Sequence, residues 1–155
     1  MNDLSDLVLP DAIIPRLAAT SRRQALQVLA DALAKASGID ARAAFEAVLM
    51  RERLSGTGMG EGVAIPHANA PGLERPIGAF ARLEPAQDFN AMDGRPADLV
   101  FMLLTPINRG ADHLKALARV SRFLRRAEIR DKLRTARGAA ELKALFAGTV
   151  RDHAA

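Results

Sequence analysis

A chain of 155 residues, 49% apolar and 26% charged, has the size and balance of one globular domain with its own core. With no cysteine, tryptophan or tyrosine and only six phenylalanines, disulfides, thiolate metal sites and cysteine nucleophiles are excluded, and the core is expected to rest chiefly on Leu, Val, Ile, Ala and Met. The net charge of +4 gathers in residues 119–137, where Arg119, Arg122, Arg125, Arg126, Arg130, Lys132, Arg134 and Arg137 meet only Glu128 and Asp131.

The N-terminal stretch MNDLSDLVLPDAIIP is acidic where a signal peptide would be basic, and two prolines interrupt its apolar residues. Ser21 followed by Gln24 is a capping-box pattern, and Leu26, Leu29, Leu33 and Ala36 recur behind it at helical spacing until Gly38. Asp40 reads as the cap of a second amphipathic helix, with Phe45, Val48 and Leu49 as its stripe to about Leu54. The glycine-rich SGTGMGEG at 55–62 breaks the helical pattern, and a short apolar VAI stops at Pro66. IGAFARL at 77–83 alternates like a half-buried strand, Asp93-Gly94 marks a turn, and DLVFMLLTP at 98–106 reads as a fully buried central strand. Its LVFMLL core, the longest apolar run, is too short to span a bilayer. From Asp112 the period is helical again, with Leu114, Leu117, Ala118, Ser121 and Leu124 on one face. Two shorter helices, about 127–136 and 139–147, surround Gly138. The expected architecture is α/β, a single domain over 1–155 in which helices cover a small sheet, soluble and cytoplasmic, with no membrane insertion.

The glycines at 56, 58, 60 and 62 do not form a nucleotide loop: no Gly-Lys-Ser/Thr follows, and the third glycine of a dinucleotide fingerprint is missing. They remain a backbone able to adopt unusual angles and approach other atoms closely. His67 follows them. Pro66 fixes its own φ and extends Ile65, while Ala68, Ala70 and Gly72 leave space beside the ring. A neutral imidazole presented in this way is a nitrogen nucleophile; the alternative is a histidine hydrogen-bonded into a loop. A zinc site from His67, His113 and a carboxylate has no supporting ligand spacing, His153 lies near the C-terminus, and no G-x-S-x-G elbow is present. The basic strip can be a solvated helix face, a docking patch for an acidic partner or a nucleic-acid footprint; with no aromatic stacking platform beside it, nucleic acid is not expected.

RERLSGTGMGEGVAIPHA at 51–68 resembles the active-site signature of the enzyme IIA family of the bacterial phosphoenolpyruvate-dependent phosphotransferase system, in its nitrogen-regulatory branch, related to the fructose and mannitol IIA domains. SRRQALQVLADALA, FNAMDGRPADLVFMLLTP and DHLKALARVSRFLR extend the likeness through most of the chain. The resemblance implies a small mixed β-sheet flanked by α-helices. It implies that His67 accepts a phosphoryl group from the phosphohistidine of an HPr-like carrier, that Arg51 lies near that phosphate, and that His113 is a second histidine beside the first. No cofactor and no metal are implied.

Where family members commonly read Gly-Ser-Thr-Gly, this chain reads Ser55-Gly56-Thr57-Gly58, so the hydroxyl expected at 56 is absent, and Ser55 or Thr57 stands in for it with Gly58 beside the phosphate. The expected function is regulatory, binding target proteins according to phosphorylation state. The alternatives are a sugar-transport IIA component passing phosphate to a IIB domain and a non-catalytic binding module. The absence of a IIB or membrane segment before Ala155 favours regulation.

Overall fold

The structure is a computed structural model describing residues 3–148, so His153 lies outside the described residues. Six strands form one mixed sheet: β1 (Val8–Leu17), β2 (Gly58–Gly60), β3 (Val63–Ala64), β4 (His67–Asn69), β5 (Ile77–Gln87) and β6 (Ala97–Thr105). Their order across the sheet is β1-β5-β6-β3-β2, with β4 also on β6. β5 runs antiparallel to β6 and parallel to β1, and β3 and β4 both run parallel to β6.

Five helices cover both faces: α1 (Arg22–Ser37), α2 (Ala41–Leu54), α3 (Gly110–Arg125), α4 (Ala127–Thr135) and α5 (Ala139–Ala147). Alternation along β6 divides the core. Val100, Met102 and Leu104 face α1 and α2, whose Leu26, Leu29, Leu33, Phe45 and Val48 close one layer. Leu99, Phe101 and Leu103 face Val120, Phe123, Leu133, Leu142 and Phe146 of the other three helices. The expected α/β class with a mixed sheet and flanking helices is what the structure has.

The α1 and α2 caps form as read. Ser21 Oγ accepts from the Gln24 amide at 3.0 Å, and Gln24 Oε1 accepts in return from the Thr20 amide at 2.7 Å. Gly38 ends α1 at φ +84°, a left-handed angle that favours glycine. Asp40 caps α2 through the Arg42 amide at 3.3 Å.

The structure assigns the N-terminal segment and corrects three expectations. The segment punctuated by Pro10 and Pro15 is the strand β1; as an edge strand it tolerates residues that cannot donate to a ladder. Ile77–Ala81 of β5 is buried on both faces, because helices pack on each side of the sheet. On α1, Ala36 is exposed, and the stripe closes instead on Ala30 and Ala34. On α3 the buried face is Ala116, Val120, Phe123 and Leu124, while Leu114 and Ala118 are exposed. The i, i+4 set shifted by two residues wins there because it includes the large ring of Phe123.

Candidate active site

His67 begins β4, which joins the C-terminal end of β6 in parallel register, His67 opposite Leu103 and Asn69 opposite Thr105. The Leu103 amide donates to the Pro66 carbonyl at 2.9 Å, so the proline anchors through its oxygen the strand it cannot enter as a donor. His67 Nδ1 lies 2.7 Å from the Ile65 carbonyl oxygen. A carbonyl only accepts, so Nδ1 carries the proton and Nε2 the lone pair. Burial pushes the pKa of this half-buried imidazole below its ordinary value; the Ile65 carbonyl opposes the shift, and Arg51 and His113 add to it.

His113 lies in the first turns of α3, its amide donating to the Arg109 carbonyl at 3.1 Å. Its ring centroid stands 5.4 Å from that of His67, with the planes tilted by 50°. Its Nδ1 is 2.5 Å from Thr105 Oγ1, which also receives the Asn69 side-chain amide at 2.8 Å. Burial, and then the Arg51 charge, lower its pKa as well. No side chain caps α3, so backbone N–H groups of its first turn keep no intrahelical partner beside this histidine pair.

Arg51, in the last turn of α2, donates from Nη1 to the Ser55 carbonyl at 2.7 Å. This guanidinium is therefore aimed by the chain that leaves its own helix. Glu52, its neighbour, is 2% exposed. The Glu52 carboxylate accepts from the Thr57 amide at 2.8 Å and from the Thr57 hydroxyl at 2.7 Å, with Arg22 Nη1 at 3.9 Å. Burial raises its pKa above the usual glutamate value, against the pull of the Thr57 hydrogen bonds and the Arg22 and Arg51 charges.

Glu52, Asn69 and Thr105 are the site's residues that sequence reasoning missed. For Glu52 a signal existed: positions 45, 48 and 52 continue one helical stripe, and a carboxylate where the stripe expects an apolar side chain asks for a buried partner. For Asn69 and Thr105 there was none, since only the β4–β6 pairing joins them.

The glycine segment is built by packing. Glu61 (φ +57°) and Gly62 (φ +77°) make a two-residue turn between β2 and β3. At Gly56 an added Cβ would sit 2.3 Å from the Phe89 carbonyl oxygen and 2.6 Å from Asn90 Cβ. The loop before β6 thus occupies the space of the missing side chain, which accounts for the absent hydroxyl. The Thr57 amide and hydroxyl are engaged by Glu52, and the Gly58 amide by the Phe89 carbonyl at 3.0 Å. Ser55 lies exposed at the end of α2.

Much of the basic strip binds the chain itself. Arg119 grips Asp6 at 2.7 Å, Arg134 grips Asp98 at 2.9 Å, and Arg126 and Arg137 pair with Glu128 and Glu141. Arg130 covers the carbonyls of Leu124 and Arg125 at the end of α3. Among the described residues no group of three or more His, Asp or Glu side chains could hold a metal, and no helix is long and apolar enough to cross a membrane.

Residues 6–148 match the family described as phosphoenolpyruvate-dependent sugar phosphotransferase system, EIIA 2. A nitrogen regulatory protein of Bradyrhizobium diazoefficiens is 51% identical over 144 residues, 93% of this chain and 94% of that one. The fructose-specific EIIA component of Haloferax volcanii is 42% identical over 114 residues, 73% of this chain and 74% of that one. The crystal structure of nitrogen regulatory protein IIA-Ntr from Neisseria meningitidis superposes with a TM-score of 0.84 at 31% identity, covering 92% of this chain and 97% of that one. The chain belongs to the EIIA 2 family of the phosphoenolpyruvate-dependent sugar phosphotransferase system, and within it resembles the nitrogen regulatory proteins.

Proposed function

We propose that this protein accepts a phosphoryl group on Nε2 of His67 from the phosphohistidine of an HPr-like carrier in the cytoplasm, and binds different target proteins in its two phosphorylation states. The state of His67 carries the reading: Nδ1–H is tied to the Ile65 carbonyl, burial disfavours the charged ring, and Nε2 offers its lone pair. That lone pair forms the new N–P bond as the P–N bond to the carrier breaks, and the electron pair of the broken bond stays on the carrier's imidazole. The His67 ring takes up positive charge, which its Nδ1–H shares with the Ile65 carbonyl.

Phosphoryl transfer asks mainly for position and charge neutralisation. Arg51 supplies the cation, held by the Ser55 carbonyl, and His113 and the uncapped first turn of α3 supply neutral donors. Thr57 and Gly58 frame the phosphate side of the site, with Glu52 and Phe89 holding their amides. Met50 and Leu54 are exposed to either side of Arg51 along α2, and Ile107 and Leu114 to either side of His113. Exposed apolar side chains on the elements that carry Arg51 and His113 suit a carrier with an apolar docking face. Adding roughly two negative charges at this face is enough to create or abolish a docking surface for a target.

Likeness to a nitrogen regulatory protein along nearly the whole of both chains favours the regulatory role. Likeness to a fructose-specific EIIA component keeps a second reading, transfer onward to a IIB domain. The test is incubation with phosphoenolpyruvate, enzyme I and an HPr-type carrier, followed by assay for an acid-labile, alkali-stable phosphoryl group. Wild type should label and His67→Ala should not; an unlabelled wild type, or equal labelling of the variant, overturns the reading. Loss of the label to an added IIB domain would assign transport instead of regulation.

A further inference from the structure

We infer that Asn69 and Thr105 hold His113 as a single tautomer, with Nδ1 unprotonated and Nε2 protonated, the opposite of the tautomer held in His67. Thr105 Oγ1 decides between the two tautomers. Asn69 Nδ2 contacts both Thr105 Oγ1 at 2.8 Å and the Pro106 carbonyl oxygen at 3.2 Å. A carbonyl only accepts, so the Asn69 atom between them is the amide nitrogen, donating one proton to each. Thr105 Oγ1 therefore already accepts a hydrogen bond. Thr105 is 0% exposed, so no water takes its own hydroxyl proton, and the remaining neighbour is His113 Nδ1 at 2.5 Å.

Were Nδ1 protonated, the Thr105 hydroxyl would be a buried donor with no acceptor. That arrangement is disfavoured strongly enough to hold the alternative tautomer to a minor population. The hydroxyl thus donates to Nδ1, and the single proton of the neutral ring sits on Nε2. Burial disfavours the charged form of both rings, so the tautomer is the variable that separates them.

The two histidines are then matched: His67 shows a lone pair at Nε2, and His113 an N–H donor at Nε2. In His67 a backbone carbonyl sets the tautomer, and in His113 a side-chain pair does so. Resting on the phosphoryl-acceptor reading above, the consequence is that His113 always presents a proton for a phosphoryl oxygen and never a second lone pair that would repel one. Asn69 and Thr105 are positioning residues, acting through His113.

The test is a long-range ¹H–¹⁵N correlation spectrum of the unphosphorylated full chain, recorded at a pH where both rings are neutral. His113 should show a pyridine-type Nδ1 and a pyrrole-type Nε2, and His67 the reverse. A wild-type spectrum with His113 protonated at Nδ1, or exchanging between both forms, overturns the inference whether or not any variant folds. Thr105→Val should release the lock into a mixture, and Thr105→Ser should restore it. A Val variant that folds and keeps the single tautomer also overturns the inference. In the labelled protein, Thr105→Val should shorten the phosphohistidine lifetime about tenfold, with recovery in Thr105→Ser. No phosphoryl donor enters the spectrum, so failure to label removes the phosphoryl reading and leaves the tautomer result standing.

Discussion

Glu52 and Thr57 are joined by two hydrogen bonds, 2.8 Å from the amide and 2.7 Å from the hydroxyl, both to a carboxylate closed off from solvent. The link continues toward His67. The Thr57 carbonyl accepts from the Ile65 amide at 3.1 Å, and the Ile65 carbonyl accepts from His67 Nδ1. A carboxylate on α2 is therefore linked, through two backbone segments, to the carbonyl that fixes the tautomer of an imidazole on β4.

Glu52→Ala leaves the Thr57 amide and hydroxyl unmatched and should cost about 3 kcal/mol of stability in denaturant unfolding. Glu52→Gln should be far milder, because an amide can accept from the Thr57 N–H and donate to its Oγ1. The Glu52 pKa is raised in the native state, so its contribution is complete below the unfolded value of 4.5 and declines as pH rises through the native value. Glu52→Gln should flatten that decline; an unchanged pH profile would contradict the assignment.

Both site histidines titrate below their ordinary value of 6.5. The native state sheds these protons before the unfolded chain does, so their stabilising contribution is present above 6.5 and lost as pH falls through the native values. NMR titration should place both midpoints under 6.5, and the rate of labelling should hold level down to the His67 midpoint before falling. A midpoint at or above 6.5 for His67 would contradict the dominance of burial over the Ile65 carbonyl at this ring.

Arg51→Ala should change stability little, since the side chain is half-buried and its bond to Ser55 is local. It should slow phosphoryl acceptance by about a hundredfold, the scale of losing one preorganised charge-stabilising donor. The same variant should raise the titration midpoints of His67 and His113, because the Arg51 charge lowers both. Arg51→Lys should restore the midpoints better than the rate, for an ammonium keeps the charge without the two-pronged geometry.

Gly56→Ser restores the residue common in the family, yet it should destabilise this chain by about 1–3 kcal/mol, as overpacking does. The Phe89 carbonyl oxygen stands 2.3 Å from where the new Cβ must go. Thermal unfolding measures it, and a variant as stable as wild type would mean that the loop before β6 gives way freely.

The caps and stops in this sequence are legible because their physics is local, whereas the buried face of a helix or strand is not. Caps at Ser21 and Asp40, the helical stop at Gly38 and the continuous apolar run of β6 all depend on residues close together in the chain. The site was legible in part: His67 stood out by its proline and small neighbours, and the family resemblance joined Arg51 and His113 to it. Leu114 shows the limit on a helix, since periodicity points to the wrong phase of α3 and the meeting of Phe123 with Phe146 in the core sets the right one.

What the sequence alone determined is the class of the fold, the order of its main elements and the histidine at its centre. Tertiary structure decided which nitrogen of each imidazole is free and which carboxylate is buried behind the glycines. It also decided that the Pro10–Pro15 segment is a strand. Apart from the Ile65 carbonyl on His67, two residues away, these depend on pairings across 36 or more residues, Asn69 with Thr105 or β1 with β5, or on a carboxylate sealed from water by packing. Hydrogen bonds of that reach leave no period in the chain, because the partner is chosen by the sheet and not by spacing along the sequence.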